Sequence, residues 1–153
     1  MPKILPKGLV CHALCGYVTE LDVALFECAQ TVANKVTSIP PLVTVRQTVE
    51  MWGGRSRHRH YEIGAAVVEH EIGNSCWARL HLLRPVVHGI KPVWAQIAQT
   101  PPPRRGDSGA WTARNGTEWA GMVVAADAQA GYALSASELV KKTDALFGTK
   151  LRL

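Results

Sequence analysis

The sequence predicts an all-β domain closed by a single C-terminal helix. Three observations carry this. Cys76, Ala78, Leu80 and Leu82 alternate with Trp77, Arg79 and His81, the period of two that belongs to a half-buried strand. Asn115-Gly116 is a strong hairpin signal between two β-type runs, Trp111-Thr112-Ala113 and Glu118 to Ala125. Ser135 with Glu138 three residues on reads as a capping box. It opens the one stretch in which Leu139, Val140, Leu146 and Phe147 can share a helical face, with Gly148 as its stop. Many short strands followed by one helix imply a barrel or sandwich.

The other elements follow in order. Tyr17-Val18 and Asp22 to Cys28 read as strand. Ile39-Pro40-Pro41 breaks regular structure, because paired prolines remove donors and fix φ, and is the candidate linker. Leu42 to Trp52 is β-rich. Gly53-Gly54 and the run Arg55-Ser56-Arg57-His58-Arg59-His60 read as a polar hairpin tip, and Tyr61 to His70 as the returning strand. Val93 to Ile97 is a short strand, and Thr100 to Arg105 a proline-rich loop. Gly131 to Leu134 is the last strand.

Composition excludes several classes. The chain has 153 residues, 47% hydrophobic, enough for one real core or two very small ones. No stretch approaches the roughly 18 apolar residues of a membrane span, and the N-terminus lacks a secretory apolar region. A cytoplasmic protein with reduced thiols is therefore expected, and no membrane partner. The net charge of +5 permits contact with acidic partners without requiring it. The basic cluster at 55–60 has no interleaved aromatic platform, which argues against nucleic acid. Cys11-His12 and Cys15 lack a second Cys/His pair of matching spacing, so no metal and no cofactor are expected.

The chemistry concentrates in Arg105-Gly106-Asp107-Ser108-Gly109-Ala110-Trp111. Glycines on both sides of a serine permit a tight turn that presents its hydroxyl and aims backbone N–H groups at one point. An oxyanion needs such donors. Upstream stands Leu21-Asp22-Val23-Ala24-Leu25. Downstream stand Trp119 to Ala126 and Gly131-Tyr132-Ala133, and then the helix from Ser135. In this order the segments resemble the chymotrypsin/trypsin-like serine peptidases over roughly residues 17–148: an Asp-x-Ala-Leu strand, the first hairpin of the second barrel at 49–68, the Gly-Asp-Ser-Gly loop, two pocket-walling strands and a terminal helix.

The resemblance implies a chymotrypsin-like antiparallel β-barrel and assigns roles residue by residue. Ser108 would be the nucleophile, and the N–H groups of Gly106 and Ser108 the oxyanion hole. Asp22 would orient the histidine. Val124, Ala125 and Ala126 would pair with substrate backbone, and Gly131 would line the specificity pocket. Pro102 falls near the pocket base, which implies a small apolar preference; Asp127 is the nearest acidic alternative. The family keeps its histidine on an earlier strand, some tens of residues before the aspartate, and 21 residues precede Asp22. The expectation is a truncated chain, with residues 1–38 a remnant of the first barrel and residues 39–153 the complete second barrel. His12 is the in-chain candidate base, since ten extended residues span about 30 Å. The expected function is a trypsin-like serine endopeptidase, incomplete without its histidine. A non-catalytic relative acting as a binding or interaction module is the alternative, and a nucleic-acid-binding basic domain is third. A peptide or protein substrate and self-association through the unclosed first-barrel strands are the expected partners.

Overall fold

The computed structural model describes residues 11–18, 23–28, 35–72, 75–86 and 101–148. Strands β1 (Cys11–Val18) and β2 (Val23–Cys28) pair antiparallel as a two-stranded sheet. Six further strands form a closed barrel: β3 (Thr48–Gly53), β4 (Arg57–Ile72), β5 (Ser75–Pro85), β6 (Trp111–Arg114), β7 (Glu118–Ala126) and β8 (Gly131–Ser135). Their order around the barrel is β3-β4-β5-β8-β7-β6, and β6 returns to β3 through Glu50↔Ala113 and Met51↔Thr112. Closure removes unpaired sheet edges. The connection from β5 to β6 is the long one, and it ends in the loop that carries Ser108.

Alternation fills the barrel. Val49 and Met51 of β3 face inward with Tyr61, the β4 partner of Val49, and with Ile63, all buried, and Leu83, Ala120, Val123 and Ala133 complete this layer. A second cluster joins Leu80, Ala113, Trp119 and Leu134 to Ala136 and Leu139 of the helix α1 (Ala136–Phe147). Val36 packs into this cluster too. Thr37 N–H donates to the Thr117 carbonyl and Trp119 N–H to the Ser38 carbonyl, so residues 36–38 are already joined to the barrel ahead of the proline break.

The hairpin at Asn115-Gly116 forms as expected, with φ of 53° and 72° at the two positions, the left-handed pair that a tight hairpin needs. Four expectations are corrected. The strand expected from Leu42 begins only at Thr48, because Arg46 turns the chain at φ 70°. The hairpin tip is confined to residues 54–56, and Arg57 to His60 are the first rungs of β4, paired with β3. Ser135 sits at the N-cap of α1 with no side-chain capping bond; its hydroxyl lies 2.8 Å from that of Ser137, so the capping box does not form. Leu146 is 62% exposed, because the buried stripe of α1 runs through Ala136, Leu139 and Thr143. Gly148 stops the helix at φ 61°, as its position implied. The strand expected at Val93 to Ile97 lies outside the described residues.

Candidate active site

The approach to Ser108 is built from two successive turns. Pro103 is buried, and Tyr61 donates its phenolic hydrogen to the Pro101 carbonyl at 3.0 Å. Burial is the main cause that raises the Tyr61 pKa, with the Asp107 carboxylate adding to it, so the phenol stays a donor. Asp107 N–H bonds to the Arg104 carbonyl at 2.9 Å, and Ala110 N–H to the Asp107 carbonyl at 2.9 Å. Gly106 and Gly109 take φ of 101° and 88°, where an L side chain is strained. Ser108 is exposed at the corner between them. Among the described residues, nothing accepts from the N–H groups of Gly106 or Ser108.

Asp107 is fully buried and its carboxylate collects four donors. Oδ1 accepts the Arg55 and Ser56 N–H groups, each at 2.8 Å. Oδ2 accepts the Ser56 hydroxyl at 2.5 Å and the Arg104 N–H at 2.8 Å. Burial pushes the carboxyl pKa up, and the Ser56 hydroxyl with the three N–H groups outweighs it, so the net direction is down. Gly53 makes the approach possible, since a Cβ there would lie 2.4 Å from Asp107 Oδ1. A Cβ on Gly54 would lie 3.2 Å from the Gly106 carbonyl. The β3–β4 tip is thus a clasp on the residue before Ser108. The sequence reading gave Asp107 and Ser56 no such role; the one signal was Gly53-Gly54, a pair that lets two backbones approach closely.

The loop is then fastened to β7. Gly109 N–H donates to the Val123 carbonyl and Val123 N–H to the Ala110 carbonyl, both at 2.8 Å. Strand β6 covers β7 as far as Met122, and these two bonds extend the cover to Val123. Among the described residues, no strand pairs with Val124 to Ala126 on that side, while β8 holds Ala125 and Ala126 on the other. The open segment lies directly beyond the bonds that position Ser108. An extended peptide can add to such an edge.

The remaining candidates fall as follows. Gly131 lies against Pro103: a Cβ there would lie 2.4 Å from the proline Cγ. Asp127 holds its own turn, accepting the Gln129 and Ala130 N–H groups and the Tyr132 hydroxyl. Asp22 lies outside the described residues, and His12 falls on β1. Three histidines have described side chains. His58 bonds to Glu50, His60 stacks at a tilt near His58, and His81 is buried with Nδ1 unpartnered. None of them hydrogen-bonds to Ser108.

Barrel, helix and loop together define a chymotrypsin-like fold, and comparison with solved structures agrees. The chain is similar to the Rv3671c protease of M. tuberculosis in an inactive serine-to-alanine form, with TM-score 0.63 and 16% identity over 91% of this chain and 66% of that one. It is similar to the active form of the same protease, at 0.61 and 18% over 92% and 60%. The MamO protease domain from Magnetospirillum magneticum gives 0.58 and 16% over 85% and 66%. The chain therefore spans 60–66% of each of these solved chains, less than two thirds. No protein-family model and no curated protein matches the sequence. At these identities the shared property is the fold: this chain has the architecture of the trypsin-like serine proteases.

Proposed function

We propose that Ser108 is the nucleophile of a trypsin-like serine endopeptidase site whose general base is an imidazole other than His58, His60 and His81. The observation that carries this is the Ser108 loop: an exposed serine between two left-handed glycines, with the Gly106 and Ser108 N–H groups left to a ligand oxygen. Those two donors would receive the oxyanion of a tetrahedral intermediate. Substrate would pair with Val124 to Ala126. Asp22 would accept the imidazole Nδ1–H and so leave Nε2 free to accept the Ser108 proton, as the resemblance implies. Pro102 and Pro103, the latter packed on Gly131, favour a small apolar residue before the scissile bond.

Internally quenched peptides test this. In a chain supplied with a histidine-bearing segment, peptides with alanine or valine before the scissile bond are cleaved, and Ser108→Ala abolishes cleavage. Preferential cleavage after arginine or lysine would refute the pocket assignment.

A second reading rests on the lack of a described imidazole at Ser108: a non-catalytic peptide-binding relative. Peptide binding that Val124→Pro weakens, without hydrolysis under any supply of imidazole, would favour it.

A further inference from the structure

The outer face of the β3–β4 hairpin carries a feature that the protease reading does not use. Cross-strand register places Glu50 opposite His60 and Trp52 opposite His58. Directly opposed residues share a face, and side chains alternate along a strand. Glu50, Trp52, His58 and His60 therefore stand together on the outer face. Arg57 and Arg59, paired with Gly53 and Met51, belong to the other face. The run that reads as one basic cluster is thus sorted by the pleat into histidines on one side and arginines on the other.

The histidines are positioned. His58 stacks on Trp52 with ring centroids 5.1 Å apart and planes 8° from parallel. Its Nε2 lies 2.9 Å from Glu50 Oε2. The His60 ring is 5.1 Å from that of His58 at 55°. One donor atom from each of Glu50, His58 and His60 lies within 4.8 Å of the others.

We propose that Glu50, His58 and His60 form a surface site for a divalent transition metal ion of the zinc, nickel and copper class. Ligand chemistry selects the class, because two imidazoles with one carboxylate suit these ions and not Mg²⁺ or Ca²⁺. Geometry supports it. Two cis ligands, each about 2.1 Å from one ion, lie ~3.0 Å apart, close to the Glu50–His58 separation. The ion takes the place of the proton between those two atoms, and exposed His60 closes on it by side-chain rotation. Water fills the remaining positions. The ion then bridges β3 and β4 on the same hairpin whose tip clasps Asp107.

Ni²⁺ titration followed by NMR tests this on the whole 153-residue chain. Stacking on His58 makes the Trp52 indole N–H a local reporter, assigned by its loss in Trp52→Phe. We expect the Trp52 signal to broaden before the other indoles. Zn²⁺ should compete, while Mg²⁺ and Ca²⁺ should not. His60→Gln and Glu50→Gln should each weaken binding more than about tenfold, with the fold checked by circular dichroism. Both side chains reach the surface, so either variant serves if the other misfolds. An unmoved Trp52 signal at saturating Ni²⁺, unchanged affinity in both variants, or uptake only at the cysteines would overturn the proposal.

Discussion

Ser56→Ala removes one of the four donors that hold the buried Asp107 carboxylate. Ser56 is 7% exposed and Asp107 0%, so little water can replace the lost hydroxyl. A hydrogen bond to a charged group contributes ~1.5–3 kcal/mol, and a buried acceptor left short of partners keeps its desolvation cost. The variant should therefore lose about 2 kcal/mol at pH 7, a large fraction of a small domain's stability. Urea unfolding reads this as a lower midpoint with an unchanged m-value. The loss depends on the carboxylate charge. The folded-state pKa of Asp107 is depressed, so its contribution is fully present above the unfolded value of about 3.9 and fades as pH falls through the folded value. The difference between wild type and variant should accordingly shrink in acid. In an Asp107→Asn background, Ser56→Ala should cost clearly less at pH 7. A loss under about 0.5 kcal/mol at pH 7, the range of ordinary surface changes, would refute the reasoning. So would an equal loss in the Asn background.

Two further perturbations follow. Gly53→Ala places a Cβ against Asp107 Oδ1 and within 2.9 Å of the Met51 methyl, where four hydrogen bonds leave the carboxylate no room to swing aside; a loss of ~1–3 kcal/mol in urea unfolding is expected, and a neutral result would contradict the clasp. His81 is buried and desolvation lowers its pKa, so between its folded value and about 6.5 the unfolded chain holds the extra proton and stability falls as pH drops. His81→Leu should flatten the fall in urea midpoint from pH 7 to pH 5, and an unchanged slope would sink this assignment.

Much of the architecture was legible in the sequence because the signals were local. Asn115-Gly116 needs only its own φ values to declare a hairpin, and Gly148 likewise declares the end of α1. The Ser108 loop was legible because Gly106 and Gly109 are the residues that its two turns require. What stayed hidden depends on contacts remote in sequence. Asp107 meets Arg55 and Ser56 across 52 and 51 positions, and nothing near either end announces the bond. The basic run at 55–60 looked uniform because its meaning lies in register: extending β4 back to Arg57 converts a polar tip into two faces of a strand. Leu146 misled for a related reason. Helical spacing allowed it on the apolar face, but the barrel covers only the stripe through Leu139 and Thr143.

We propose the Ser108 loop as an acyl-transfer site that an imidazole placed beside it activates. The rate of Ser108 phosphonylation by a fluorophosphonate, mapped by mass spectrometry, tests it most directly. An unassisted hydroxyl reacts slowly, whereas a serine paired with its base reacts rapidly. Among the described residues no imidazole hydrogen-bonds to Ser108, and negligible labelling of the 153-residue chain is expected. With a histidine-bearing segment beside Ser108, labelling should rise by on the order of 10⁴ and vanish in Ser108→Ala. No gain from the imidazole, or labelling that survives Ser108→Ala, would contradict the claim. Strong labelling of the unmodified chain that disappears in His12→Ala would instead place the base on β1.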